Sequence, residues 1–154
     1  SAAPNLCIAD YFKDQAAGND LVGFFVVTVG ERLAEITAEL FQNDNYHDYL
    51  MMHGLGVELT DALAEYWHLR MREEMGFADS GSEKNVDYVT QEYRGSRYGF
   101  GYPACPDLDA HRDLFELLKP EEIGVSLTEN FEMVPEMSTS AIVAHHPQAK
   151  YFAI

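Results

Sequence analysis

The chain reads as an α+β fold, and three features of its 154 residues carry that reading. Long segments with helical spacing stand beside several short β-branched runs. The strands do not alternate with helices in a βαβ rhythm, and no repeat, low-complexity tract or linker divides the chain. Residues 1–154 are therefore taken as a single domain, or part of one, long enough to bury a substantial core. An apolar fraction of 47% and an aromatic fraction of 12% place it among folded globules.

The elements follow in order. Asp20-Leu-Val-Gly-Phe-Phe-Val-Val-Thr-Val29 is an apolar, β-branched and aromatic run that reads as a buried strand ended by Gly30. Glu31 to about Asn43 has helical spacing through Leu33, Ile36, Leu40 and Phe41, with early acids that suit the helix dipole. Asn43-Asp-Asn45 marks a turn. The longest periodic segment runs from Tyr46 to Gly76, with Leu50, Val57, Leu59, Leu63, Tyr66, Trp67 and Met71 as its apolar positions. Gly54 and Gly56 interrupt it, so it is either one helix packed closely at that point or two. Residues 80–85 form a loop and Val86 to Tyr93 a short helix. Asp109 to Leu118 is a helix stopped by Lys119-Pro120. Val125–Leu127, Phe131–Val134, Thr139–Ala144 and Tyr151–Ile154 are strand-like.

Charge and motifs exclude several functions. A formal net charge of −16 with only ten basic residues argues against a nucleic-acid binder, because phosphate contacts need Lys and Arg. No apolar run reaches the roughly 20 residues of a membrane helix. The opening SAAPNLCIADYFKD has neither the basic nor the apolar stretch of a secretory leader, so an intracellular, cytoplasmic setting is expected. Cys7 and Cys105 are accordingly read as reduced. There is no GxGxxG and no GxxxxGK[ST]. His145-His146 would point to opposite faces of a strand and lack a third ligand, so no metal site is expected. No Ser-His-Asp, Cys-His or paired-carboxylate spacing singles out a catalytic residue.

Arg97-Tyr-Gly-Phe-Gly-Tyr-Pro-Ala-Cys-Pro-Asp107 puts one Arg, three aromatics, two Gly and two Pro into eleven residues. Pro103 and Pro106 fix φ, while Gly99 and Gly101 allow backbone to approach closely. The expected result is a stiff, extended loop with bare backbone beside aromatic faces and a guanidinium. It suits either a ligand with a flat ring and a carboxylate, or a rigid connector. Asp61, Glu65 and His68 fall at i, i+4 and i+7 on one helix face. They could meet a cationic ligand or be a solvated acidic face.

RYGFGYPACPD, the downstream LTENFEMVPEMSTSAIVAHHPQAKYFAI, and the upstream GFFVVTVG and DALAEYWHLRMREE together resemble the C-terminal reactivation domain of cobalamin-dependent methionine synthase. The likeness runs over nearly the whole chain in the same order. GYPACPD followed by HPxxxYF is its specific part. The resemblance implies long helices packed on a twisted antiparallel sheet, a helmet- or C-shaped fold. It is incomplete here, with the chain taken as the core part of that domain and ending mid-strand at Ile154. It also implies binding of S-adenosylmethionine, whose methyl group rescues cob(II)alamin after one-electron reduction, in methionine biosynthesis. The chain would then be part of a methyltransferase with no turnover by itself, since the cobalamin is held by another domain.

Carried over residue by residue, the resemblance makes Arg97 and Tyr102 ligand contacts, from an R-x-x-x-G-Y motif. A guanidinium on the ligand carboxylate would be a charge-assisted pair. Tyr98-Gly99-Phe100 stands where the commonest version reads Pro-Ala-Pro, so Tyr98 and Gly99 are candidates through their backbone. Tyr151 and Phe152 match an aromatic pair that closes over the ligand, so residues 96–106 and 146–154 should be neighbours. Asp61 aligns with an acid that is Glu in the family, with Glu65 as the alternative. The implied partners are the cobalamin domain and a flavodoxin-like electron donor, although an acidic donor gains nothing from a chain at −16. A different reading is a docking module for those partners that has lost ligand binding. A free-standing enzyme of unrelated activity is disfavoured by the missing acid/base signatures.

Overall fold

The computed structural model describes residues 6–78, 91 and 93–152, and among them are three α-helices and five β-strands. These residues divide into two units, described separately below. One holds residues up to Phe24, Trp67–Asp107 and Ala141 onward; the other holds Phe25–Tyr66 and Leu108–Ser140. Three elements, β1 (Val22–Thr28), α2 (Tyr46–Glu74) and β5 (Ser138–Ala144), have residues in both. The strands form a three-stranded sheet in the order β1-β5-β2, with β2 spanning Ser96–Gly99, and a two-stranded sheet of β3 and β4.

In the unit of Phe25–Tyr66 and Leu108–Ser140, β1 buries Phe25 and Val27 by strict alternation. Gly30, at φ 92°, turns the chain into α1 (Glu31–Gln42), and Glu31 lies in the first turn, where the dipole favours an acid. A turn at Asn43–Asn45, with Asp44 left-handed at φ 56°, leads into α2. α3 (Ala110–Leu118) buries Leu114 and Phe115. It ends at a left-handed Lys119, and Pro120 opens a short 3-10 turn, as the Lys-Pro pair predicts. β3 (Ser126–Leu127) and β4 (Met133–Val134) pair antiparallel. His111 is buried with both ring nitrogens occupied, Nδ1 with the Phe131 carbonyl at 2.8 Å and Nε2 with Ser140 Oγ at 2.7 Å. It is a structural histidine.

α2 is one helix, with a buried face unlike the expected one. Leu50, Val57 and Leu59 are exposed, whereas Gly56, Thr60 and Ala64 are buried at i, i+4 and i+8. Side chains packed directly on the helix backbone explain it. A Cβ on Gly56 would lie 2.6 Å from Leu33 Cδ2 and 3.0 Å from Met137 Sδ, so that face needs small residues. Thr60 satisfies its hydroxyl on the Gly56 carbonyl at 2.8 Å.

In the other unit, β2 pairs antiparallel with β5, Arg97 opposite Val143 and Tyr98 opposite Ile142. Gly23 of β1 lies where a Cβ would meet the Met71 and Met75 side chains of α2. Short 3-10 turns occupy Ile8–Tyr11 and Gln15–Ala17, the latter capped by the Asp14 carboxylate. Tyr98, Val143, Ala144 and Ala149 are fully buried. The residues read as a loop at 80–85 and most of those read as a helix at 86–93 lie outside the described ones. Tyr151 and Phe152 form no strand, and Ile154 lies outside the described residues.

The two helix glycines should separate in a stability measurement. Gly54 has open space around it. Gly54→Ala should therefore stabilise by about 0.5–1 kcal/mol through helix propensity. Gly56→Ala should destabilise, because overpacking of about 1–3 kcal/mol outweighs that gain. Urea denaturation of both variants tests this, and equal shifts would mean that α2 is not closely packed at Gly56.

Candidate functional site

The site is built on β2. The sequence reading makes Arg97–Asp107 an extended loop throughout, but Arg97, Tyr98 and Gly99 belong to a strand. The reason is non-local: Ser96–Gly99 finds a partner in Ala141–Ala144, far along the chain. Beyond Gly99 the segment is a closed turn. Gly101 N–H donates to the Cys105 carbonyl and Cys105 N–H to the Tyr102 carbonyl, both at 2.8 Å, with Gly101 at φ 82°. Cys105 and Cys7 are free thiols.

Strand alternation sorts the candidate residues. Ser96 and Tyr98 are buried, while Arg97 and Gly99 are half-buried on the opposite face. The Tyr98 hydroxyl donates to the Lys150 carbonyl at 3.0 Å. Its ring stacks on Tyr11 at 6.1 Å and meets Tyr151 at 6.5 Å and Phe152 at 5.7 Å. Burial pushes the Tyr98 phenol well above its usual pKa. That side chain is core, so only the Tyr98 main chain can face a ligand. Ala104 and Phe152 pack on the same cluster, which makes residues 96–106 and 146–152 neighbours as expected. Tyr102 and Tyr151 remain about half exposed, at 54% and 47%.

Behind Arg97 lies a buried polar group that sequence reasoning missed. Arg97 Nη1 donates to Tyr93 Oη at 3.2 Å, and His68 Nδ1 is 3.3 Å from the same oxygen. The Arg72 guanidinium, 1% exposed, sits 3.9 Å over the Tyr93 ring, a cation–π contact. Gly95 lies close against β5. At φ 86° its Cβ would come within 2.8 Å of the Ala144 carbonyl. Burial, with the Arg97 and Arg72 charges adding to it, pushes the His68 pKa from 6.5 down to about 3. The imidazole is neutral, and Nε2 is buried without a hydrogen-bond partner among the described residues. The only advance signal was the i, i+4 spacing of His68 and Arg72 in YWHLRMRE.

The expected face of Asp61, Glu65 and His68 is graded rather than uniformly solvated: exposed, half-buried and fully buried in turn. Asp61 and Glu65 belong to the unit of Phe25–Tyr66, and the other candidates to the unit of β2. His145 and His146 were read as opposite faces of a strand, but β5 ends at Ala144 and both follow it, with different partners. His145 Nε2 is 2.7 Å from Asp20 Oδ1, and His146 lies against the Tyr11 ring. Asp20 also accepts from the Lys13 N–H at 2.8 Å. That bond first, then His145, holds its carboxyl far below the usual carboxylate range. Arg94 Nε donates to the His145 carbonyl at 3.1 Å. Among the described residues no three His, Cys, Asp or Glu converge where they could hold a metal ion. No helix among them is long and apolar enough to cross a membrane.

The α+β fold belongs to a known class of domain. All of residues 1–154 match the family of the activation domain of vitamin B12 dependent methionine synthase, and the chain belongs to that family. It is similar to the methionine synthases of Mycobacterium leprae (strain TN) and Mycobacterium tuberculosis (strain ATCC 25618 / H37Rv). Each is 46% identical over 160 residues, covering 97% of this chain. The chain spans 13% of the length of those relatives. The crystal structure of the MetH reactivation domain bound to AdoHcy matches with a TM-score of 0.81 and 31% identity, over 96% of this chain and 46% of that one.

His68 makes stability depend on pH with a definite sign. Its folded pKa of about 3 lies below the ordinary 6.5. Between those values the unfolded chain binds a proton that the folded chain does not, so stability is full above about 6.5 and falls as the pH drops toward 3. Asp20 acts lower, its contribution being lost only below an unfolded carboxylate's pKa of about 4. His68→Gln should be less stable at neutral pH but flatter between pH 6.5 and 4.5. Melting temperatures across that range test it, and a slope equal to wild type would refute the buried neutral histidine.

Proposed function

We propose that the chain binds S-adenosylmethionine and serves as the reactivation module of a cobalamin-dependent methionine synthase. The observation that carries this is Arg97, a half-buried guanidinium on the face of β2 opposite the core-facing Tyr98, at the root of the closed Gly/Pro turn. Its family membership and the AdoHcy bound to the solved relative support the same reading. AdoHcy is what remains of S-adenosylmethionine once the methyl group has left.

In this reading Arg97 takes the ligand carboxylate in a charge-assisted pair. The exposed rings of Tyr102 and Tyr151 supply flat surfaces for the adenine, Tyr151 and Phe152 close over the ligand as a pair, and the Tyr98–Gly99 backbone lines the approach. The chain contributes position and exclusion of water and needs no acid or base of its own. The nucleophile for the methyl group would be supplied by cobalamin when bound to another part of the full-length protein. The chain is then the core part of one activation domain of a cytoplasmic methyltransferase, with the cobalamin domain and a flavodoxin-like donor as partners, and without turnover by itself.

Calorimetric titration with S-adenosylhomocysteine tests the reading. Wild type should bind saturably. Arg97→Ala should lose about ten- to a hundredfold in affinity, the cost of roughly 1.5–3 kcal/mol for a hydrogen bond to a charged group. Arg94→Ala removes the bond to the His145 carbonyl. It should lower the melting temperature and leave affinity unchanged. No binding by a well-folded wild type would overturn the proposal in favour of a docking module that has lost its ligand.

A further inference from the structure

The carboxylate contact assigned to Arg97 needs a guanidinium held in one place, and β2 alone does not provide that. Arg97 has a long side chain with many rotamers, on a strand that ends two residues later. The Tyr93 hydroxyl gives it a fixed partner, accepting from Nη1 at 3.2 Å. Tyr93 is 5% exposed, so this oxygen is a fixed point. Its ring is clamped on two sides, by the Arg72 guanidinium 3.9 Å from the ring centroid and edge-on by the His68 imidazole at 5.2 Å.

The proton arrangement supports the same role. A hydroxyl oxygen has two lone pairs and one hydrogen. With the histidine neutral, Nδ1 at 3.3 Å can accept the Tyr93 hydrogen, which leaves the lone pairs for the Arg97 donor. A protonated His68 would instead place a third cation beside Arg72 and Arg97.

We propose that Tyr93, clamped by His68 and Arg72, is a positioning residue that holds the Arg97 guanidinium ready for the carboxylate of an S-adenosyl amino acid. The inference rests on the ligand reading above and deepens it. Tyr93 does not touch the ligand; it acts through Arg97.

Three measurements on the full chain test it. First, nitrogen-15 NMR of the ligand-free protein should show hindered rotation of the Arg97 guanidinium, with separate Nη signals that merge in Tyr93→Phe. Second, Tyr93→Phe should weaken S-adenosylhomocysteine binding roughly two- to tenfold, the worth of one net hydrogen bond. It should leave 5′-methylthioadenosine, which has the same nucleoside but no carboxylate, unchanged. Third, the effect of Tyr93→Phe should vanish in an Arg97→Ala background.

A freely rotating Arg97 in wild type overturns the proposal, and needs no variant to fold. So does an equal loss for both ligands, or an undiminished effect in the Arg97→Ala background; either marks Tyr93 as scaffold. Hindered rotation that depends on Tyr93, in a wild type that binds neither ligand, upholds the anchoring of Arg97 and overturns the S-adenosyl reading instead.

Discussion

The register of β2 against β5 is the constraint on which the candidate site depends. Side chains alternate along a strand, so pairing Arg97 with Val143 and Tyr98 with Ile142 decides which of two adjacent residues enters the core. A slip of one residue would bury the guanidinium and expose the phenol. Three contacts lock the chosen register from the core side. They are the Tyr98 hydroxyl on the Lys150 carbonyl, the stacked Tyr11 ring, and the Tyr151–Phe152 pair. Gly95 adds a fourth, because only a residue without Cβ fits against the Ala144 carbonyl at φ 86°. The buried tyrosine and the outward arginine are two consequences of one pairing.

That pairing was not legible locally, and the reason is instructive. Ser96-Arg97-Tyr98-Gly99 has no run of β-branched residues, and it leads into a segment so rich in Gly and Pro that the whole reads as loop. The strand exists because residues more than forty positions later offer it an edge, and that information is absent from any short window. By contrast β1, α1 and α3 were readable, since each carries its own periodicity and its own stop in Gly30, Asn43 and Lys119-Pro120. α2 was readable in extent but not in orientation. Its large apolar residues imply one buried face, and its buried face in the unit of Phe25–Tyr66 is instead the small-residue row Gly56, Thr60 and Ala64. Hydrophobicity marks what can be buried; here the Leu33 and Met137 side chains lying against the helix at Gly56 decide what is.

The candidate residues divide in the same way. Arg97, Tyr102, Tyr151 and Phe152 could be picked out because a specific motif names them, and Tyr98 proves structural because its ring is fully enclosed. His68 was picked out only as part of a helix face with Asp61 and Glu65, and its grouping with Arg72 and Tyr93 could not be read. A histidine and an arginine four apart on a helix ordinarily face solvent, and burial of a guanidinium is costly without compensation. The compensation comes partly from the Tyr93 ring, contributed by a segment outside the helix. A neutral His68 belongs to the same solution, since it adds no charge beside the two arginines.

These parts bear on how a chain of net charge −16 would present the proposed site to a carboxylate. Long-range electrostatics oppose the approach of an anion, so attraction must come from a cation at short range, in a place that water partly leaves. A free arginine would meet that need poorly. Both its rotamer freedom and its hydration are lost on binding, at roughly 0.5–1.5 kcal/mol for each immobilised side chain. An arginine already bonded to a buried phenol has given up much of that freedom in the folded state, so more of the pair's energy remains for the ligand. The guanidinium's several N–H donors allow this, because a bond to Tyr93 uses only one of them. Lysine, with one rotating ammonium, could not be held by one partner and still present a planar fork to another. The choice of arginine at this position follows from that geometry as much as from its charge.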